Sequence, residues 1–237
     1  DDRVNTYATE LQKVIRLDPK FIMIVLPNAN ADRYATVKKI TCIQNAIPTQ
    51  VIVQKTMMAK NGNWGGVKSV ATKVLIQMNC KLGGAAWTVK IPLSGCMTVG
   101  FDVTHDSTDK RKSFGAFVAL LDVKRKAKFF SSVSSHMSGE ECSNNITVHM
   151  QKALQSYRDE YGTLPEKILF YRDGVGDGDV DHVYKTEVGS LNGLFKDVYS
   201  AEGLTPKLCF IIVNKRINVR IFKSMHGNRV ENPPSGT

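Results

Sequence analysis

Leu169-Phe-Tyr-Arg-Asp-Gly174 is a β-prone run that ends in a carboxylate and a glycine, and it decides how the second part of this sequence is interpreted. Three strands are predicted before it, and the short links between them are typical of an antiparallel meander. Helices are predicted on either side of the run, and a further strand follows. The predicted order is β-β-β-α-β-α-β. These elements cover residues 97–103, 115–121, 129–135, 141–161, 167–171, 181–199 and 208–213.

The first third of the chain alternates helical and strand patterns, which is typical of an α/β domain with a parallel sheet. Because the β-prone run at 21–26 is apolar throughout, it predicts a strand that is covered on both faces. Both ends of the sequence look like internal points of a longer chain. The predicted helices and strands of this part cover residues 4–17, 21–26, 31–43, 49–54 and 67–82.

The composition narrows the class of protein. The chain has 237 residues, 42% of them hydrophobic and 23% charged, so it can bury a core and is not broadly disordered. It carries 32 Lys and Arg against 22 Asp and Glu, a net charge of +10, which favours a polyanionic partner such as nucleic acid. Its five scattered cysteines indicate a reducing compartment rather than a zinc site. We expect no membrane association, because the apolar runs are too short to span a bilayer.

Two aspartates lie near the ends of predicted strands, Asp102 in the first strand of the meander and Asp173 in the fourth. In a mixed sheet of this order the fourth strand commonly pairs with the first, so both carboxylates emerge at one edge. Carboxylates gathered in this way bind divalent metal ions, and a two-metal site hydrolyses phosphodiesters. Together with the basic charge, the pattern indicates a nuclease. The alternative is that each aspartate caps a strand or a turn, since Asp-Gly at 173–174 is also a turn signal.

Three motifs, in this order, resemble the Argonaute family and its PIWI clade in particular. They are Thr98-Val-Gly-Phe-Asp-Val-Thr-His-Asp106, Tyr171-Arg-Asp-Gly-Val-Gly-Asp-Gly178 and Phe210-Ile-Ile-Val-Asn-Lys-Arg-Ile-Asn218. Upstream, Asn79-Cys-Lys-Leu-Gly-Gly84 is similar to the end of the family's MID domain. The resemblance implies an α/β fold in two parts. Residues 1–90 would be the later, Rossmann-like part of a MID domain, and residues 91–237 the first part of a ribonuclease H-like PIWI domain with a mixed sheet.

The resemblance also implies an activity. Members of the clade bind a small guide RNA (piRNA) and cut the RNA paired to it with Mg²⁺ (or Mn²⁺), in RNA and transposon silencing. Asp102 and Asp173 match two of the four catalytic positions and are the implied metal ligands, and Glu141 matches another, with Glu140 as its rival. The fourth position has no match, so we expect the chain alone to be inactive as an endoribonuclease. The alternative is a guide-RNA-binding silencing protein without cleavage activity.

A pocket for the 5′ end of the guide is the second implied site. Tyr34 and Lys38 lie four residues apart on a predicted helix, where a ring can stack on a base and an ammonium can meet a phosphate. Without the resemblance, such a pair is more simply a helix surface. Gln77 stands where many Argonautes carry a second lysine, which implies a less positive pocket completed by magnesium. A plain ribonuclease H-like nuclease or integrase has no use for this pocket. The matching residues are Tyr34, Lys38, Gln50, Gln77 and Lys81.

Further contacts are implied along the guide. Asn28-Ala-Asn-Ala-Asp32 matches the loop that reads the first base. Lys215, Arg216 and Arg220 form a basic cluster that would contact the guide backbone, and the alternative is a solvated loop. The implied partners are a small guide RNA with a 5′-monophosphate, a complementary target RNA, and Tudor-domain proteins through a region that is not in this sequence. The implied location is cytoplasmic (germ granule) or nuclear.

Overall fold

The structure, a computed structural model, describes residues 3–59, 62, 64–87, 92–122, 128–137, 143–215, 218–227 and 229–234. The described residues form two compact units, one from the chain up to residue 87 and one from residue 92 onwards. In the part of the chain that is described, no helix is both long and apolar enough to cross a membrane.

The first unit is a small α/β layer. Strands β1 (Ile22–Leu26) and β2 (Thr49–Val53) pair in parallel, as the alternating pattern predicts. Asn30 caps the second helix, since its side-chain oxygen accepts a hydrogen bond of 2.9 Å from the Arg33 backbone amide. That helix continues into a π-helical segment, Lys39–Gln44. The helices of the unit are α1 (Val4–Ile15), α2 (Ala31–Lys38) and α3 (Gly65–Lys81).

One face of β1 carries the core of this unit. Its inward residues pack with side chains from α1, α2 and the π-helical segment, and the cluster comprises Leu11, Ile22, Ile24, Leu26, Val37 and Ile40. The opposite face differs from the prediction, because Met23 and Val25 are about half exposed. The expectation of a strand covered on both faces is therefore wrong for the described unit. An uninterrupted apolar run does not reveal whether a second layer packs on the strand.

The second unit contains seven strands and three α-helices among its described residues. The strands of the main sheet are longer than predicted, and a two-stranded hairpin near the end of the chain is an addition to the prediction. The strands are β3 (Cys96–His105), β4 (Lys112–Asp122), β5 (Lys128–Met137), β6 (Lys167–Asp173), β7 (Lys207–Val213), β8 (Lys223–Ser224) and β9 (Val230–Glu231). The helices are α4 (Ser143–Tyr161), α5 (Val180–Val183) and α6 (Gly189–Ser200).

The main sheet is mixed and has the order β5-β4-β3-β6-β7. β3, β4 and β5 pair antiparallel, which confirms the meander, whereas β6 pairs in parallel with both β3 and β7. The fourth strand of this unit therefore lies beside the first, as predicted. The long helix α4 makes this possible, because a parallel neighbour requires a crossover connection.

A single hydrophobic core lies between the sheet and its helices. α4 packs against β4, β5 and α6. Phe117 on β4 is fully buried. Its ring contacts those of Phe101 on β3, Phe130 on β5 and Phe170 on β6 at centroid distances of 6.1–6.4 Å. These aromatic contacts tie the antiparallel and parallel halves of the sheet together.

The helix predicted over 181–199 is interrupted. It divides into α5, a π-helical segment over Tyr184–Val188, and α6. The π turn shifts the face that the following residues present, and it places Glu187 in the interior. Glu187 pairs with Arg172 on β6, a contact that periodicity along the helix cannot indicate.

Candidate functional site

The two predicted carboxylates lie on neighbouring parallel strands. The β3–β6 register ends with Phe101 opposite Arg172, and Asp102 and Asp173 are the residues that follow. Asp102 does not lie at the end of its strand, in contrast to the prediction, because β4 continues to pair with β3 as far as His105. The edge at which the carboxylates emerge is therefore the point where β6 stops, not the point where β3 stops.

Gly174 directly follows β6 and lies next to both carboxylates. Its φ of +75° is in the left-handed region, which favours glycine. A Cβ atom at this position would lie 3.4 Å from Asp102 Oδ1, so the Asp102 carboxylate is next to the residue that follows Asp173. The Gly174 amide donates a 2.9 Å hydrogen bond to Asp173 Oδ1. The turn thus orients one carboxylate and leaves room for the other.

Lys215 lies against this carboxylate pair. Its ammonium forms an ion pair with Asp173 Oδ2, although most of the lysine side chain is exposed. The hydrogen bond and charge of Lys215 hold the pKa of Asp173 below its ordinary value. Asp173, with a smaller contribution from Asp102, in turn raises the pKa of Lys215. Of the other residues predicted to contact a guide backbone, Arg220 is exposed, and Arg216 lies outside the described residues.

The chemistry of these donors fits a hard divalent cation. Aspartate oxygens are the ligands that Mg²⁺ and Mn²⁺ prefer. Asp102 and Asp173 would supply two of them, whereas Glu141 and its rival Glu140 lie outside the described residues. Within the described ranges, no group of three or more His, Cys, Asp or Glu side chains could hold a metal. The described edge is therefore a two-carboxylate portion of the predicted site.

A buried ion pair lies directly behind Asp173, and sequence reasoning missed it. Arg172 is 7% exposed and Glu187 is 4% exposed. Arg172 Nε and Nη2 donate to the Glu187 carboxylate at 2.9–3.2 Å, while Nη1 donates to the backbone oxygen of Asp173. The guanidinium also lies 5.0 Å from the centroid of the Phe101 ring. The sequence contained one signal for this pair, namely an arginine at an inward position of a buried strand. A buried charge of this kind requires a partner.

The five residues predicted to form a 5′-phosphate pocket lie together in the first unit. Lys38 Nζ donates to Thr49 Oγ1, and Lys81 Nζ donates to the Thr49 backbone oxygen, both at 2.7 Å. Lys81 also donates to Gln50 Oε1 at 2.8 Å, and Gln50 Nε2 donates to Gln77 Oε1 at 3.2 Å. Thr49 is 2% exposed and links the two lysines, a role that the sequence pattern did not indicate.

The electrostatics of this pocket favour an anion. Partial burial lowers the pKa of Lys81, and the positive charge of Lys38 lowers it further. Two ammonium groups that lie close together are stabilised by a negative group placed between them. Lys38 Nζ lies 5.7 Å from the centroid of the Tyr34 ring, which is about half exposed and open to a stacking partner. The pocket can therefore hold a phosphate beside an aromatic platform.

The segment 28–32, predicted to be a loop, comprises a short turn and the first two residues of α2, and side-chain hydrogen bonds hold it. Asn28 Oδ1 accepts a 3.0 Å hydrogen bond from Arg33 Nη1, and Asn30 caps α2. A cavity of about 650 Å³ adjoins the loop at Ala29 and is lined mainly by residues that follow β2 and begin α3. None of the five residues of the anion pocket lines this cavity, so the two features are separate.

Comparison with known proteins gives a consistent result. Residues 21–237 match the family model described as Piwi domain. The chain is 44% identical over 239 residues to Protein aubergine of Drosophila melanogaster, covering 100% of this chain and 27% of that protein. It is 46% identical over 232 residues to Piwi-like protein Siwi of Bombyx mori, covering 98% of this chain and 25% of that protein.

A solved structure agrees. The crystal structure of Drosophila Piwi superposes with a TM-score of 0.81 at 37% identity, covering 91% of this chain and 28% of that one. This likeness confirms the predicted fold class, an α/β fold with a ribonuclease H-like mixed sheet. The chain spans about a quarter of the length of the relatives that it matches.

Proposed function

This chain belongs to the Piwi domain family, and from that premise we propose that it is the guide-holding and target-cutting part of a PIWI-clade Argonaute. The proposed protein binds a small guide RNA with a 5′-monophosphate and cleaves complementary target RNA. One observation carries the proposal of guide binding, namely that Lys38 and Lys81 converge on Thr49 beside the exposed Tyr34 ring. Because the chain spans part of its relatives, both activities are proposed for a longer protein that contains it.

In the proposed guide complex, Lys38 and Lys81 donate to the oxygens of the 5′-phosphate. Charge-assisted hydrogen bonds of this kind are stronger than neutral ones. Gln50 and Gln77, which are already hydrogen-bonded to each other, complete the polar wall of the pocket. In this proposal the first base stacks on Tyr34. The segment at 28–32, where Asn28 accepts a hydrogen bond from Arg33, reads the edge of that base.

In the proposed cleavage site, Asp102 and Asp173 would hold a divalent cation, Mg²⁺ or Mn²⁺. Glu141, or its rival Glu140, would be the third catalytic residue. When bound, this cation supplies Lewis-acid stabilisation of the charge that develops on the target phosphodiester. The reaction is hydrolysis, with water as the co-substrate, and the products carry 3′-hydroxyl and 5′-phosphate ends.

Binding of end-modified RNA tests the first half of the proposal. A short RNA with a 5′-monophosphate is compared with the same RNA bearing a 5′-hydroxyl, at one fixed salt concentration, with and without Mg²⁺. We expect the chain to prefer the phosphorylated RNA, and Mg²⁺ to increase the preference. Equal affinities in every condition would contradict the proposed pocket.

Target cleavage tests the second half and separates the proposal from a guide-binding protein that does not cut. A longer protein containing this chain is loaded with a guide, and product formation is compared for wild type, Asp173→Ala and Asp181→Ala. Asp181 is an exposed carboxylate on α5 and serves as the control. We expect cleavage to be lost in Asp173→Ala alone. An uncut target with a wild-type protein that binds its guide would favour the non-cleaving alternative.

The biological setting belongs to the proposal as well. By its family, the protein would act with piRNA guides in transposon silencing, with Tudor-domain partners, in germ granules of the cytoplasm or in the nucleus. Recovery of the RNA bound to the protein from its own tissue, followed by sequencing, tests the nature of the guide.

A further inference from the structure

The residues behind the two carboxylates form one connected cluster. Phe101 precedes Asp102, Arg172 precedes Asp173, and the two are opposite each other in the β3–β6 register. The guanidinium of Arg172 stacks on the Phe101 ring, binds the Glu187 carboxylate through two of its nitrogens and donates through the third to the Asp173 carbonyl. All three side chains are more than nine-tenths buried. We call Arg172 and Glu187, with the Phe101 ring, the arginine clamp.

Stability alone is a weak explanation for the charged pair in the clamp. Removing two charges from water costs free energy that their attraction barely offsets, and well-packed apolar residues of similar volume often stabilise as much or more. The aromatic core of this unit could accept such a replacement, since Phe101, Phe117 and Phe170 already pack together. What an apolar pair cannot do is donate a hydrogen bond to the Asp173 backbone.

That hydrogen bond acts at the point where β6 ends. Beyond Phe101 and Arg172 the β3–β6 pairing stops, and Gly174 turns the chain away with a φ of +75°. The direction of the Asp173 carboxylate depends on the peptide that Arg172 holds. Because the same guanidinium lies on the ring of Phe101, it also sets the position of Asp173 relative to β3, where Asp102 follows.

We propose that the arginine clamp is a positioning device that holds the Asp173 carboxylate beside Asp102 in the geometry that a divalent cation requires. The inference rests on the proposed function, because it takes these aspartates as metal ligands. Arg172 and Glu187 touch neither metal nor substrate. They act through the peptide of Asp173, in the way that outer groups orient the ligands of a metal site.

A double apolar replacement separates positioning from stability. The 237-residue chain is prepared as wild type, Asp173→Asn, Arg172→Met/Glu187→Leu and Arg172→Lys. Mn²⁺ affinity is measured by electron paramagnetic resonance without RNA, and thermal unfolding is measured on the same samples. We expect the double variant to unfold close to the wild-type midpoint while its Mn²⁺ affinity falls by about tenfold or more. Arg172→Lys retains the charge but loses the planar fork, so we expect it to fold with a similar loss of affinity.

The outcomes are distinguishable. A folded double variant with wild-type Mn²⁺ affinity would refute the proposed positioning role of the arginine clamp. If the double variant does not fold, the Arg172→Lys variant provides the test. Wild-type Mn²⁺ affinity in Arg172→Lys would also refute the positioning role. If Asp173→Asn binds Mn²⁺ as the wild type does, the proposed metal site fails, and the clamp fails with it. Loss of binding in Asp173→Asn together with intact binding in the folded double variant rejects the clamp and leaves the metal site standing.

Discussion

Phe101 and Arg172 are opposite each other in the parallel pair of β3 and β6, and each immediately precedes an aspartate. Their side chains are buried and in contact, with the guanidinium 5.0 Å from the ring centroid. Because successive residues of a strand point to opposite faces, this inward contact accompanies an outward pair of carboxylates. The arrangement connects the packing of the core to the geometry of the candidate catalytic edge.

Replacement of Lys38 by methionine is expected to remove the preference for a 5′-phosphate. The ammonium of Lys38 lies beside Thr49 and Tyr34, where the phosphate is proposed to bind. Since a hydrogen bond to a charged group contributes about 1.5–3 kcal/mol, the affinity for 5′-phosphorylated RNA falls by about tenfold or more. Lys68→Met, on the exposed side of α3, makes the same change in net charge and is the control. Equal losses in both variants, measured by fluorescence anisotropy, would show that charge alone explains binding.

The hydroxyl of Thr49 is expected to matter for the same pocket. Thr49→Val keeps the shape of the side chain but removes the acceptor for Lys38 Nζ, whereas the backbone oxygen still accepts from Lys81. We expect the free energy of unfolding to fall by about 1 kcal/mol and the preference for 5′-phosphorylated RNA to weaken. Thr49→Ser retains the hydroxyl and should restore the preference. If valine and serine variants bind alike, Thr49 does not orient Lys38.

Gly174→Ala is expected to disturb the carboxylate edge more than the same change at Gly178. Alanine at Gly174 must adopt a left-handed φ, and its Cβ would contact Asp102 Oδ1. The backbone strain alone costs about 1–2 kcal/mol. Gly178 lies in the following 3-10 turn, and a Cβ there would meet nothing within 4 Å. Thermal unfolding and Mn²⁺ affinity of the two variants check this expectation. A larger loss of stability or of Mn²⁺ affinity in Gly178→Ala than in Gly174→Ala would contradict it.

Acidification is expected to break the contact between Asp173 and Lys215. Lys215 holds the folded-state pKa of Asp173 below the ordinary 3.8, so the ion pair contributes fully above that pH. The contribution is lost as the pH falls through the lower, folded-state value. In Lys215→Met the Asp173 pKa should rise toward the ordinary value, whereas Lys207→Met should leave it unchanged. Carboxyl ¹³C NMR titration measures this directly, and an unaltered Asp173 pKa in Lys215→Met would refute the assignment.

Much of the second unit could be predicted because its signals are local. The three-strand meander and the position of β6 beside β3 follow from strand patterns and the lengths of the connections. Tyr34 and Lys38 likewise share a helix face by their spacing alone. The buried contact between Glu187 and Arg172 could not be predicted, because it joins two different elements whose local patterns do not refer to each other. The sequence also did not predict that one face of β1 is exposed, because an apolar run is compatible with one covering layer or two.

Beyond the candidate residues, most of which the family resemblance implied, the sequence by itself determined the α/β class and the order of the elements. Periodicity, turn signals and motif spacing are properties of the chain, so these features need no knowledge of distant contacts. Tertiary structure alone decided that Thr49 links Lys38 to Lys81, that Lys215 lies on Asp173, and that a buried arginine is held behind the carboxylates. Each of these depends on which polar groups become neighbours in the folded chain. For Arg172 and Glu187, burial makes the pairing obligatory.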